Sequence, residues 1–177
     1  MRKLLNEKQR QQKIKAIEKT VAILNKLNIE YFVGGNLLLD IYREKKVSNW
    51  PYGIALNVKY EILESKISIL RQELEKEGFR TTKLISPLRC KINAYYKNRL
   101  CEIVAWYDRG KYRIRKKYKL PAKFFKPGRY KKLHGKKYQV LNPPIEYLEY
   151  RFGKNWQIPI RVNGGHRGKY EEARYRR

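Results

Sequence analysis

Acid is what this sequence has least of. Its 177 residues carry 16 Asp plus Glu against 43 Lys plus Arg, a formal net charge of +27, and Asp40 and Asp108 are its only aspartates. A merely solvated surface mixes both signs, whereas these cations run in blocks, so the composition points to a polyanionic partner. Cysteine is scarce as well. Cys90 and Cys101 flank an expected two-residue turn at Lys97-Asn98, which pairs position 90 with 105 and not with 101. That register excludes a disulfide between them, and two Cys with His134 and His166 lack zinc-ligand spacing, so the expected compartment is reducing. No apolar run approaches the roughly 18 residues of a membrane span. The opening "MRKLLNEKQRQQK" turns polar after two leucines, unlike a secretory signal.

The length suits one well-buried domain. Ile14, Ile17, Val21 and Leu24 share one helical face and predict a helix over 6–27. "IEYFV" predicts a strand ended by Gly34-Gly35, after which Asn36 is expected to N-cap a helix burying Leu37, Leu38 and Ile41. "GIALNV" predicts a second strand, and Tyr60, Leu63, Ile67, Leu70 and Leu74 predict one continuous helix over 59–77 closed by Gly78. Strands are expected near 79–85, 90–96 and 100–107, another at "KYQVL", and a last helix in "PPIEYLEYRFG", with Pro144 in its first turn and Gly153 at its end. This order gives an α/β (α+β) class, a small mixed sheet with packed helices. The expected organisation is a basic N-terminal extension over 1–13, a domain over 14–160 with a basic insertion at 109–137, and a basic tail over 161–177.

The stretch "YFVGGNLLLDIYREKKVSNWPYGIALNV" resembles the core of the LicD-like transferases, a branch of the nucleotidyltransferase superfamily that includes phosphocholine transferases and fukutin-related proteins. The family pattern is a strand, Gly-Gly with a hydroxyl residue, Leu-Leu, a basic helix end and then Trp-Asp-Asp-Asp-Ile-Asp. Gly34, Gly35, Leu37, Leu38, Arg43, Trp50 and Ile54 match it, Asn36 replaces the hydroxyl residue, and "LNPPIEYLEYRFGKNWQIP" is similar to the family's C-terminal portion. The departure lies in the acids: Pro51, Tyr52, Gly53 and Ala55 occupy the aspartate positions, and a third carboxylate survives only as Glu102. Phosphoryl and nucleotidyl transfer draw on Mg²⁺ held by carboxylates, which one Glu does not supply. The resemblance therefore implies a nucleotidyltransferase-like fold with a degenerate, vestigial pocket at Gly34, Gly35, Asn36 and Glu102, without metal or cofactor. Glu102 is expected to pair with a neighbouring cation, and Trp50 and Trp156 to serve packing.

From Arg109 to Lys137 there are 14 Lys or Arg in 29 residues and no acid, with Tyr112, Tyr118, Phe124, Phe125 and Tyr130 interleaved. Cations that track phosphates beside rings that stack on bases suit RNA. The RNA-binding candidates are Lys8, Arg10, Lys13, Lys111, Arg113, Arg115, Lys116, Lys117, Lys119, Lys123, Lys126, Arg129, Lys131, Lys132, Lys136, Lys137, Arg167, Lys169, Arg174, Arg176 and Arg177. The functional expectation is a non-catalytic structural RNA-binding subunit of a large ribonucleoprotein, a ribosome, built on a dead nucleotidyltransferase fold. Ribosomal RNA and neighbouring subunits are the expected partners, with no small-molecule substrate. The expected location is the mitochondrial matrix, otherwise the cytoplasm, and not the secreted fraction. The alternative is an active LicD-like phosphocholine or nucleotidyl transferase with an atypical metal site.

Overall fold

Helix α1, Glu7–Lys26, starts at a capping box in which Asn6 and Gln9 satisfy each other's backbone N–H groups. The computed structural model describes residues 3–158, so the C-terminal candidates Arg167, Lys169, Arg174, Arg176 and Arg177 and the tail lie outside the described residues. The predicted stripe Ile14, Ile17, Val21 and Leu24 is buried. Lys13 and Ala16 are buried as well, and the helix runs unbroken through position 13, where the basic extension was expected to end.

After α1 come β1 (Tyr31–Val33), α2 (Gly35–Leu39, continuing as a π turn over Asp40–Glu44) and β2 (Ile54–Lys59). The predicted helix over 59–77 keeps its periodicity, with Leu63, Leu70 and Leu74 buried, but is not continuous. It divides into α3 (Tyr60–Leu63), a 3₁₀ turn (Glu64–Lys66) and α4 (Ile67–Lys76). The break lies where Lys66 Nζ donates to the carbonyls of Leu27 (2.7 Å) and Asn28 (3.1 Å), satisfying acceptors just beyond the C-terminal end of α1.

Strands β3 (Arg80–Ser86), β4 (Arg89–Tyr96) and β5 (Arg99–Arg109) form a meander. Its second turn is the expected one: Lys97 and Asn98 both adopt positive φ, 46° and 63°, and Tyr96 faces Arg99. Cys90 and Cys101 are free and buried. β1, β2, β5, β4 and β3 lie side by side in that order, with β2 parallel to β5 and the other pairs antiparallel. The register sets Ala55 against Glu102.

The 109–137 insertion departs most from expectation. It folds into β6 (Tyr112–Arg115) and β7 (Tyr118–Pro121), which extend the sheet from the end of β5, and then into β8 (Tyr130–Leu133), which pairs with β9 (Lys136–Gln139). Leu120, Phe124, Phe125 and Leu133 are core residues. Burying side chains of this size contributes roughly 1.5–3 kcal/mol each, so the segment is part of the fold's stability. Helix α5, Pro144–Phe152, has Pro144 at its start and Gly153 at its C-cap as expected, and it packs on α2. The result is a mixed sheet with packed helices, the fold class read from the sequence.

Candidate functional site

The turn from β1 into α2 is built by close approach. A Cβ on Gly34 would lie 2.7 Å from Leu141 Cδ1, 2.9 Å from Asn57 Nδ2 and 3.0 Å from the Tyr147 hydroxyl, so only glycine fits. Gly35 follows at φ +55°, a conformation open chiefly to glycine. The helix therefore begins at Gly35 with Gly34 at the N-cap position, and Asn36 does not cap it. The Gly35 N–H donates to the Tyr147 hydroxyl at 2.8 Å, tying this turn to α5.

A cavity of about 190 Å³ opens beside this turn. Gly35 and Asn36 border it on one side, Gly53, Ala55 and Asn57 line it from β2 and the residues before it, and Glu102 and Trp106 line it from β5. Arg115, Tyr118 and Lys119 reach it from the β6–β7 hairpin, and Tyr147, Tyr150 and Arg151 from α5. The structure thus brings together Gly35, Asn36 and Glu102 of the predicted pocket and adds a cationic wall that the sequence reading missed or assigned to RNA.

The donor set does not suit a divalent metal pair. Among the described residues Glu102 is the single carboxylate lining the cavity, and Lys91 Nζ already engages it at 2.5 Å, the cation pairing expected from the sequence. Asn57 is committed at both ends of its amide: Nδ2 donates to the Phe32 carbonyl (3.0 Å), and Oδ1 accepts from the Trp106 indole (2.9 Å). Asp40 is fully buried and turned into its own network, accepting from the Ser48 N–H (2.9 Å) and the Tyr52 hydroxyl (2.7 Å). Tyr52, at a position where the resemblance led us to expect an aspartate, is thereby a support for Asp40. Among the described residues no three His, Cys, Asp or Glu side chains cluster as a metal site would require.

The electrostatics run the other way. Arg115 and Arg151 are half-buried in the cavity wall. Burial lowers the pKa of each, opposed for Arg115 chiefly by the Glu102 carboxylate. For Arg151 the Tyr147 hydroxyl opposes it, while repulsion from Arg115 adds to it. Both remain charged at any ordinary pH. The Arg115 guanidinium stands 5.4 Å from the ring centres of both Trp106 and Tyr118.

Several RNA-binding candidates are placed elsewhere. Lys13 is 3% exposed, donates to the Trp50 carbonyl at 3.0 Å and stands 3.9 Å over the Tyr52 ring. Arg113 is buried and paired with Glu61 (2.7 Å) and Asp108 (3.3 Å). Arg10 pairs with Glu7, Lys123 with Glu146 and Lys136 with Glu18. Phe124 and Phe125, expected among the rings of an RNA surface, are core. Lys8, Lys111, Lys116, Lys117, Lys126, Arg129, Lys132 and Lys137 are exposed, and Lys131 lies over the Tyr42 ring. Trp156 is buried against Tyr42, and Trp50 is half-buried.

No family model and no curated protein sequence matches this chain. Solved structures do match. The solution structure of the antibiotic-resistance factor ANT(2'')-Ia aligns at TM-score 0.60 and 15% identity, covering 93% of this chain and 83% of that one. The crystal structure of ANT(2'')-Ia in complex with adenylyl-2''-tobramycin aligns at TM-score 0.57 and 16% identity, covering 90% and 86%. The chain therefore has a nucleotidyltransferase-like fold.

These neighbours correct the functional expectation. They are aminoglycoside nucleotidyltransferases, with a small-molecule product in one of them, and nothing ribosomal accompanies the fold. The non-catalytic ribosomal reading, the dead-enzyme assignment and the exclusion of a small-molecule substrate do not stand, and RNA partners find no support. The physical reason lies in the insertion: Phe124 and Phe125 are spent on the core, and the β6–β7 hairpin brings Arg115 to the wall of the cavity. No helix among the described residues is long and apolar enough to cross a membrane, and neither the fold nor the neighbours indicate a compartment.

Proposed function

We propose that this protein is a nucleotidyl-transfer enzyme acting on a small molecule, with an atypical site in the cavity between the Gly34-Gly35 turn, β5 and α5. The observation that carries the reading is the placement of Glu102, Arg115 and Arg151 around one enclosed space in a nucleotidyltransferase-like fold. In the transfer, an acceptor hydroxyl attacks the α-phosphorus of a nucleoside triphosphate. The new P–O bond forms, the bond to the bridging oxygen breaks, and pyrophosphate leaves. Glu102 takes the proton of the acceptor hydroxyl, and Lys91 holds its carboxylate in place. The guanidiniums face the charge that develops on the phosphate oxygens.

The finer placement, in the LicD-like branch, rests on Gly34, Gly35, Leu37, Leu38, Arg43, Trp50 and Ile54 and on the segment after Leu141. In that branch the group moved is phosphocholine-like or nucleotidyl, and the acceptor supplies the attacking hydroxyl. The cavity's charge supports a neutral or anionic acceptor over an aminoglycoside, whose amino groups are cationic at neutral pH, because the Arg115 and Arg151 guanidiniums face the space while the Glu102 carboxylate is already paired with Lys91. The exposed cations of 109–137 would raise the local concentration of anionic nucleotide. The organisation that goes with this function is a transferase domain that already includes α1 from Glu7, ahead of the expected start at 14, followed by the basic stretch 161–177. The test is ³¹P NMR of the purified chain with each of the four nucleoside triphosphates and a panel of sugar and aminoglycoside acceptors. Pyrophosphate release that requires an acceptor supports the reading, and no turnover with any combination refutes it.

A further inference from the structure

The misfit between this cavity and a metal pair leaves open what neutralises a bound triphosphate. Among the described residues two cationic side chains, Arg115 and Arg151, face the space, and Lys119 borders it with its ammonium 3.6 Å over the Tyr112 ring, while the charge of Glu102 is balanced by Lys91. The two aspartate positions that line the cavity are Gly53 and Ala55, which offer no side-chain donor. Asn57 is spent on Phe32 and Trp106, and Asp40 on Ser48 and Tyr52. Among the described residues side-chain oxygen ligands are thus missing from the wall or engaged, whereas two guanidiniums converge on it, that of Arg151 beside the Tyr147 hydroxyl.

The two forks come from independent elements, β6 and α5, so their convergence is a product of the tertiary fold. Arg115 is oriented by the rings of Trp106 and Tyr118, which limits the freedom it would lose on binding. A planar guanidinium donates two parallel N–H bonds to a phosphate, and in a half-buried wall those bonds are less screened than on a surface. The cavity volume, about 190 Å³, falls below the roughly 300–1,000 Å³ of whole-ligand pockets and suits the phosphate end of a nucleotide.

We propose that Arg115 and Arg151 bind the phosphates of the nucleotide directly, so that nucleotide binding at this site needs no divalent cation. The inference rests on the nucleotidyl-transfer reading and names how that site recognises its nucleotide.

Calorimetric titration of the full chain with ATP, CTP, GTP and UTP, once in EDTA and once with Mg²⁺, tests it. The expected result is binding in EDTA within about threefold of that with Mg²⁺, with inorganic tripolyphosphate competing. Arg115→Gln and Arg151→Gln should each weaken binding in EDTA by roughly tenfold or more, the loss expected for a charge-assisted phosphate contact. Lys8→Gln, on the exposed first turn of α1, should leave it unchanged. Circular dichroism checks folding. If a Gln variant unfolds, Arg115→Lys and Arg151→Lys keep the charge but lose the fork and should still weaken binding. Binding that appears only with Mg²⁺, or that survives loss of both forks, overturns the inference and leaves the transferase reading standing. No nucleotide binding under either condition removes both.

Discussion

Replacing Lys13 with Met should change how stability depends on pH, and the size of the change follows from the surroundings of Lys13. The ammonium lies beneath the loop that carries Ser48 and Trp50, donates to the Trp50 carbonyl, and stands 3.9 Å over the Tyr52 ring. Burial brings its pKa down from 10.5 to about 8, with Asp40 pulling it back up and Arg99 pushing it further down. The unfolded chain therefore binds more protons than the folded one between about pH 8 and 10.5, so this residue's contribution makes stability rise with pH across that window. A shift of this size corresponds to about 3 kcal/mol of penalty for the charged form, fully present below pH 8. By pH 9.5 about 2 kcal/mol of it is relieved. Lys13→Met also loses the bonds to the loop carbonyls, which lowers stability by a nearly pH-independent amount. Urea unfolding of both proteins at pH 7, 8, 9 and 9.5 separates the two effects. The wild type should gain about 2 kcal/mol on the variant from pH 7 to 9.5. Parallel profiles would refute the account, showing that Lys13 ionises as freely as an exposed lysine.

Three further outcomes follow from particular contacts. Glu102→Gln should lower kcat by about 10²–10⁴ with little change in nucleotide KM if Glu102 takes the acceptor proton, and steady-state kinetics at saturating nucleotide checks this. Gly34→Ala should cost roughly 1–3 kcal/mol in urea unfolding, because the new Cβ meets Leu141, Asn57 and Tyr147 at 3.0 Å or less. Asn6→Ala should cost about 1 kcal/mol, since it opens the capping box of α1, and a loss near zero would mean that the first turn contributes nothing to folding.

Much of the frame was legible because its causes are local. A helical stripe at Ile14, Ile17, Val21 and Leu24, a Lys97-Asn98 turn with both residues at positive φ, and a Pro-started helix ended by Gly153 all follow from the chemistry of a few adjacent residues. The pairing of the lone Glu102 with a neighbouring cation, Lys91, came as anticipated. The break at Glu64–Lys66 was not readable, because its cause is a lysine reaching the end of a distant helix. Nor was the role of the basic insertion. A run of cations looks alike whether it coats a surface or folds into a hairpin that aims one arginine inward.

The sequence alone determined a mixed α/β class, the helical stripes and the poverty of metal ligands, since periodicity, turn chemistry and residue identity depend on the chain and its near neighbours. Only the tertiary structure decided that Lys13 is buried, that Phe124 and Phe125 are core, and that Arg115 and Arg151 share a cavity with Glu102. Burial and the meeting of charges are set by whatever packs opposite a residue, and in this fold those partners come from strands and helices far along the chain.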